Sequence, residues 1–442
     1  MATLFGTDGI RGVANQDLTP DLALALGRAT AVTLFPEGGT VVVGRDTRIS
    51  GPMLEAALVA GLCSAGADVV LVGILPTPGV AFLITEEKAA AGVVVSASHN
   101  PVADNGIKVF GDDGYKLDPD RESAIEAAMG DPPTDLPTGD GVGVVHEMPD
   151  AIDRYVAHLL STGDGSLAGI RVVLDCAYGA TWRAAPQAFR AAGAEVTTLH
   201  AEPDGSRINV DCGSTDLSLL ATAVVAESAD IGLGFDGDGD RVLAVDETGQ
   251  TVDGDRILAM LAVDLHERGR LSHDVVISTV MGNLGFRRAL EKRGIEVVTA
   301  PVGDKHVVEA MIERGALIGG EQSGHIIIAN HATTGDGILA GLHVAQLMKK
   351  SGGRLSELAH SFEPYPQVLI NVPVEHKEQV EQADVLWDEV GKVEAELGDS
   401  GRILVRASGT EPIVRVMVEA SDEAAARASA KRVAEVVRSS LG

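Results

Sequence analysis

The chain predicts an α/β protein: three tandem β-α-β-α-β repeat domains with mainly parallel sheets, then a C-terminal α+β domain, set around a central cleft. Three observations lead there. Short β-branched runs recur at three places, and each stops at a polar loop. Helix-like stretches after these runs end at a glycine, the residue that supplies a left-handed helix stop. After Gln367 the repeat gives way to a different pattern. Length agrees, since 442 residues at roughly 100–200 per domain give about three or four domains.

The first strands are expected at 40–44 (TVVVG), 170–175 (IRVVLD) and 274–280 (DVVISTV). They are short, apolar and bounded by loop residues, as buried strands are. Helices are expected over 53–65, 182–192 and 285–293, closed by Gly66, Gly193 and Gly294. Second strands follow at 68–72, 195–199 and 296–299, and third strands at 92–96, 230–235 and 316–319. Strands alternating with helices imply parallel pairing, with ligand loops beyond the carboxyl ends of the strands. The third strands run into SASHNP (96–101), DGDGDR (236–241) and GGEQSGH (319–325). Three polar loops in equivalent places suggest one shared site; the bland alternative is three unrelated connections. The Pro/Gly-rich segment 131–143 and the FEPYPQ segment 362–367 mark boundaries, and a third lies near Gly254. The expected domains are therefore 1–149, 150–254, 255–366 and 367–442. In the last, strands are expected at 368–372, 402–407 and 413–420, and helices at 377–396 and 423–439.

Composition bounds the function. Lys plus Arg is 35 and Asp plus Glu is 64, a net charge of −29. Such an acidic chain opposes nucleic-acid binding, which needs clustered Lys and Arg. Any anionic substrate must meet a local basic island. No long apolar run predicts a membrane span or a secretory leader. Cys63, Cys176 and Cys212 are scattered and odd in number, which fits a reducing cytoplasm rather than a disulfide framework. They read as small core residues.

Asp236, Asp238 and Asp240 place three carboxylates on alternate residues, with glycines that let the backbone curl. Hard oxygen ligands select Mg²⁺ or Ca²⁺. An EF-hand is disfavoured because Arg241 stands where its turn needs glycine. The GxGxxG match at 232–237 lacks its helix, and three acids would repel a pyrophosphate. A solvated acidic turn is the plain alternative. Ser98, flanked by His99 and Asn100 at a strand end, can be a nucleophile or phosphate carrier. Beside a metal loop, phosphoryl chemistry fits it better than a hydrolase triad, and a phosphoserine would supply an anionic oxygen to the metal. Lys108 lies ten residues on and can return to the same place, though alone it reads as a surface lysine. Glu321, Gln322, Ser323 and His325 suit a polyhydroxylated ligand, but as an isolated motif they read as a polar turn. Arg406, Ser408, Gly409, Thr410 and Arg415 form a basic, hydroxylic island with the parts of an anion nest; an ion pair with Glu411 is the alternative.

SASHNP, DGDGDR and RASGTEP in this order, with the opening FGTDGIRG at 5–12, resemble the α-D-phosphohexomutase superfamily over the whole chain. The resemblance is closest to its bacterial members that interconvert glucosamine 6-phosphate and glucosamine 1-phosphate. That finer match rests on the opening, on EQSGH and on VMGNLG at 280–285, where members often carry Ser in place of Gly282. Relatives acting on glucose or mannose phosphates more often have Met where Gln322 stands. The resemblance implies four domains and a phosphorylated Ser98. One Mg²⁺ per chain would be held by Asp236, Asp238, Asp240 and the Ser98 phosphate. His99, Lys108 and Arg11 would surround the phosphoryl group, with Lys108 as general base ahead of His325. Glu321 and Ser323 would bind sugar hydroxyls with His325 nearby, and Arg406, Ser408, Gly409, Thr410 and Arg415 would grip the distal phosphate. A glucosamine 1,6-bisphosphate intermediate, a cytoplasmic place feeding UDP-N-acetylglucosamine and cell-wall precursor synthesis, and a homodimer are implied in the same way. A phosphomannomutase or phosphoglucomutase, a metal-dependent sugar phosphatase and a noncatalytic sugar-phosphate sensor are the other readings.

Overall fold

β-branched runs that fill both faces of a strand pair in parallel only where helices cover those faces, and all three repeats fold so. The computed structural model describes residues 4–6, 8–131, 134–163, 165–408 and 412–441. Within it the chain divides into two compact units. One contains residues 1–281 and 294–361; the other contains 282–293 and 362–442.

In the larger unit, each repeat builds a sheet in the same order. The second strand lies outside the first, the third lies on its other side, and a returning strand follows. The first sheet runs Ala67–Ile74, Gly39–Arg45, Ala91–Val95, Asp104–Gly111, extended by Ile10–Val13 and Val145–Glu147 at its edges. The second runs Glu195–Leu199, Arg171–Asp175, Ile231–Phe235, Val242–Asp246 and ends on Thr251–Val252. The third runs Glu296–Ala300, Val275–Thr279, Ile318–Gly320, Ile326–Ile328. The first three strands of each pair in parallel, as expected, but the returning strand is antiparallel. The sheets are therefore parallel cores with antiparallel additions. Each polar loop is a hairpin connection between the third strand and its return.

Helices cover the sheets by local rules. Thr19 caps the helix Pro20–Leu34, its hydroxyl accepting from the Leu22 N–H, with Pro at the first turn. That helix meets Gly51–Ser64 backbone to backbone. A Cβ on Gly27 would stand 2.3 Å from the Leu58 carbonyl oxygen, and one on Gly61 2.2 Å from that of Leu24. Beneath them Leu54, Leu58 and Leu62 are fully buried, each worth ~2 kcal/mol of apolar transfer.

In the smaller unit, Gln367–Pro373, Ile413–Ala420 and Gly401–Ala407 form an antiparallel sheet with Ile413–Ala420 central. Asp384–Leu397 and Glu423–Leu441 pack on it around Val372, Val390, Val416 and Val433. The helix Leu284–Glu291 belongs to this unit. Buried Glu419 accepts from the Leu284 N–H at 3.0 Å, and Asn283 caps the helix by accepting from the Gly285 N–H at 2.8 Å. The expected single helix over 377–396 is two pieces, a 3-10 stretch Lys377–Gln382 and the helix from Asp384. Ala383 between them is non-helical, and the Trp387 indole N–H takes the Val380 carbonyl at 2.9 Å. Among the described residues no helix is long and apolar enough to cross a membrane.

Candidate active site

The strand Ala91–Val95 is wholly buried and delivers Ser96 to the start of the first loop. The antiparallel return pairs Val94 with Lys108, which brings Lys108 back beside the loop. Ser98 is 1% exposed and sits in the left-handed region at φ 51°, a conformation non-glycine residues keep only when the surroundings impose it. Its N–H donates to Ser96 Oγ at 2.9 Å, and Ser96 Oγ donates to Asp46 Oδ2 at 2.7 Å.

Arg48 fixes the rest. It is fully buried, and its guanidinium donates to the carbonyl oxygens of Ser98 (3.0 Å), Asn100 (2.8 Å), Pro101 (2.6 Å) and Asp104 (2.8 Å), while Nε pairs with Asp46 at 3.0 Å. One planar fork thus gathers the loop's carbonyls. Asn209 Nδ2 adds a bond to the Ser98 carbonyl at 2.9 Å. Arg48 lies just past the first expected strand, 40–44, and nothing in the local sequence marks it for this role.

The second loop abuts the first. A Cβ on Gly237 would stand 2.6 Å from the Ser98 carbonyl oxygen, so only glycine fits. Ser98 Oγ donates to Asp236 Oδ2 at 2.5 Å. Asp236, Asp238 and Asp240 are buried, and ligand atoms from all three lie within 4.8 Å of one another. Burial, then Asp240 and Asp238, push the Asp236 carboxyl well above the usual range. Asp238 Oδ1 and Asp240 Oδ1 are buried without a hydrogen-bond partner. Three crowded acids with two orphaned oxygens are what a hard divalent cation satisfies, so the donor set fits a metal of the Mg²⁺ class.

Cations already face this cluster. Lys108 Nζ lies 2.8 Å from Asp238 Oδ2, 3.2 Å from Asp8 Oδ2 and 3.4 Å from Asp240 Oδ2. Burial opposes its charge, but these carboxylates outweigh it and hold the ammonium well above its ordinary pKa. Asp8 also pairs with Arg11 and Lys116, and Lys116 reaches Asp304. Arg11 donates to Asn100 Oδ1 at 2.9 Å. His99 Nδ1 is 3.3 Å from Ser98 Oγ; burial, with Arg241 and Arg11, depresses the imidazole to about 4.

The third loop closes on the second through Val242 N–H to Gly324 O at 3.0 Å and Gly254 N–H to Gln322 O at 3.1 Å. His325 accepts from the Gly335 N–H at Nε2 (3.0 Å), and its Nδ1 is 3.8 Å from Asp240 Oδ1. Glu321 accepts from the Gly303 N–H at 3.2 Å, and Ser323 Oγ lies 3.4 Å from its other oxygen. The structure thus gathers Ser98, His99, Arg11, Lys108, the aspartates and His325, with Glu321 and Ser323 on the adjoining turn.

In the smaller unit, Arg406 and Arg415 stand directly opposite each other on paired strands. Like charges so placed repel unless an anion joins them, and burial together with Arg415 lowers the Arg406 pKa. Ser408 is buried at the strand end. Gly409 and Thr410 lie outside the described residues.

A serine held against a carboxylate metal cradle, at the carboxyl ends of repeated α/β sheets, defines a phosphoryl-transfer enzyme of the phosphohexomutase class. Family models for phosphoglucomutase/phosphomannomutase match in order: alpha/beta/alpha domain I at 2–133, domain II at 153–249, domain III at 253–365 and the C-terminal domain at 369–436. The phosphoglucosamine mutase of Salinispora tropica is 53% identical over 445 residues, 99% of each chain. That of Streptomyces coelicolor is 52% identical over 452 residues, the full length of both. Among solved structures, a phosphoglucomutase/phosphomannomutase family protein from Burkholderia thailandensis aligns at TM-score 0.84 and 26% identity, covering 99% of this chain and 97% of that one. Aspergillus fumigatus N-acetylphosphoglucosamine mutase, in complex with GlcNAc-6P and magnesium, shares the fold at TM-score 0.71 and 17% identity, covering 99% and 96%. The chain belongs to the phosphoglucomutase/phosphomannomutase family of α-D-phosphohexomutases, and within it to the phosphoglucosamine mutases.

Proposed function

We propose that this enzyme interconverts glucosamine 6-phosphate and glucosamine 1-phosphate through phosphorylated Ser98 and glucosamine 1,6-bisphosphate. The observation that carries the reading is Ser98 Oγ at 2.5 Å from Asp236 Oδ2, at the rim of the buried aspartate cradle. The relatives' name supplies the amino sugar. The four domains take the roles of phosphoserine (1–149), metal (150–254), sugar (255–366) and distal phosphate (367–442).

Ser98 gives its phosphoryl group to the free hydroxyl of the sugar monophosphate. The Oγ–P bond breaks as the sugar O–P bond forms, the freed serine oxygen gains a proton and the sugar hydroxyl loses one. The bisphosphate then turns end over end and rephosphorylates Ser98 from its other phosphate, so the proton returns and the isomer leaves. Glu321 and Ser323 orient the sugar hydroxyls, with His325 beside them. Arg406, Ser408 and Arg415, with Gly409 and Thr410, hold whichever phosphate is not reacting. Arg11 and His99 flank the phosphoryl group. One Mg²⁺ per chain, held by Asp236, Asp238, Asp240 and the Ser98 phosphate, would neutralise charge on the transferring group. Lys108 is the general base, ahead of His325. Lys108→Arg, which keeps the cation but holds its proton, should lower kcat by ~100-fold or more; an Arg variant with wild-type kcat would make Lys108 a fixed cation. The enzyme works in the cytoplasm as a homodimer, which light scattering tests.

The deciding experiment is ³¹P NMR with Mg²⁺ and a trace of sugar bisphosphate, offering glucosamine, glucose and mannose 6-phosphates separately. Conversion of the amino sugar to its 1-phosphate, with the others much slower and Ser98→Ala inert, is expected. Preference for glucose or mannose phosphate would overturn the substrate. Growth of inorganic phosphate alone would make the protein a phosphatase, and binding without turnover would make it a sensor.

A further inference from the structure

A second cluster of metal-ligating side chains lies beside this site and takes no part in the chemistry above. Asp175 ends the strand Arg171–Asp175, and its parallel neighbour Glu195–Leu199 pairs Leu199 with it, so His200 emerges alongside. The connection that leaves His200 returns to the same sheet end at Cys212, just before the 3-10 turn Gly213–Thr215. Ligand atoms of Asp175, His200 and Cys212 lie within 4.8 Å of one another.

Asp175 and Cys212 are fully buried. One carboxylate oxygen, Oδ1, pairs with His200 Nδ1 at 3.0 Å and accepts from the Ala177 N–H at 3.0 Å. The other, Oδ2, is buried without a hydrogen-bond partner. An anionic oxygen buried without a protein donor is costly unless a cation meets it. The His200 side chain keeps 15% of its surface exposed, which leaves a route in and room for a water ligand.

We propose that Asp175, His200 and Cys212 form a second metal site, selective for a borderline-soft divalent cation of the Zn²⁺ class. Carboxylate, imidazole and thiolate with a water in the fourth position is a donor set that Zn²⁺ accepts and Mg²⁺ does not. The Asp236 cradle, all carboxylate, has the opposite preference. Bonds of roughly 2.0–2.3 Å ask the three ligand atoms to draw inward by about an ångström. Binding exchanges the Cys212 S–H proton, released to solvent, for an S–metal bond.

The site lies directly under the catalytic loops. The Ala177 carbonyl accepts from the Asn209 N–H at 3.1 Å, and Asn209 Nδ2 holds the Ser98 carbonyl at 2.9 Å. Ala180 N–H donates to the Gly237 carbonyl at 2.8 Å, and Thr47 Oγ1 to that of Tyr178 at 2.6 Å. An ion joining the strand end to Cys212 ties together the two segments that carry these bonds.

The test is a Co²⁺ titration of the full-length, thiol-reduced protein in excess Mg²⁺. A stoichiometric thiolate-to-cobalt charge-transfer band with tetrahedral d–d bands is expected, displaced by Zn²⁺ and untouched by further Mg²⁺. Cys212→Ser should abolish the charge-transfer band, His200→Gln should weaken binding ~10-fold or more, and Cys63→Ser should change nothing. Circular dichroism establishes that each variant is folded. Wild-type protein without a thiolate band, a band that survives in Cys212→Ser, or cobalt bound only where Mg²⁺ removes it would each overturn the site. The wild-type titration decides even where a variant fails to fold, and none of these readouts depends on turnover.

Discussion

Arg48 shows how a single side chain can set the position of a nucleophilic oxygen through the backbone that carries it. Four backbone carbonyls and the Asp46 carboxylate converge on its guanidinium inside the protein. Lysine cannot reproduce that planar fork, and methionine would take one donor away from each of five acceptors. Because a misplacement of about 1 Å in a reacting group can cost ~100-fold, Arg48→Lys should lower kcat by ~10–100-fold. KM for glucosamine 6-phosphate should stay within ~3-fold, since the residues proposed to hold the distal phosphate are unchanged. Steady-state kinetics with a count of phosphate on Ser98 would check it; an Arg48→Lys enzyme with wild-type kcat would refute the clamp. Nothing in the local sequence separates Arg48 from the solvated arginines around it. Residues 45–48 read as a polar strand end, and the buried partners come from positions about fifty residues away. Ser98 and the three aspartates were legible because their pattern is local. Asp8 beside Lys108, Thr77, whose hydroxyl donates to Asp238 Oδ2 at 2.6 Å, and Asn209 on the Ser98 carbonyl were not.

At the scale of elements, three short parallel strands declare themselves by composition, and 195–199 and 413–420 fall where the sequence put them. The antiparallel returns did not declare themselves. Asp104–Gly111 begins with polar residues, and Ile326–Ile328, though apolar, is too short to read as a strand. Their pairing comes from the tight loops that precede them. One element boundary carries a measurable charge effect. Asp336 caps the helix Gly337–Ser351 through the Leu339 N–H and accepts from the Tyr155 hydroxyl at 2.9 Å. Burial nevertheless raises its carboxyl from 3.8 to about 6. A folded-state pKa above the unfolded value means the folded protein holds the proton more tightly. The resulting stability is full below about pH 4 and is lost as pH rises to about 6. Two pKa units correspond to ~3 kcal/mol. Asp336→Asn keeps a capping oxygen and removes the charge, so it should be more stable than wild type by ~1–3 kcal/mol above pH 7, with the gap closing toward pH 4. Urea midpoints across that range would check this. A difference independent of pH would show that Asp336 titrates normally.

For the whole molecule the governing quantity is charge. A chain of net charge −29 must admit a sugar phosphate dianion, and Arg406 and Arg415, opposite each other on paired strands, are the basic island proposed to receive it. The two act over different ranges. At 10 mM salt the screening length is ~30 Å, so the incoming phosphate feels the summed negative field; at 100 mM it is ~10 Å and only near neighbours count. Contact between phosphate and paired arginines is partly desolvated and is screened less. At constant saturating Mg²⁺, kcat/KM for glucosamine 6-phosphate should therefore rise by roughly 2–5-fold as monovalent salt relieves long-range repulsion. It should then decline above ~300 mM as the contact itself weakens. Arg406→Ala should raise KM, keep the low-salt rise and flatten the high-salt decline, because it removes the contact and adds only one unit to the field. A kcat/KM that falls steadily from the lowest salt would mean that the island's own field dominates at long range, and that the acidic surface does not reach the approach path.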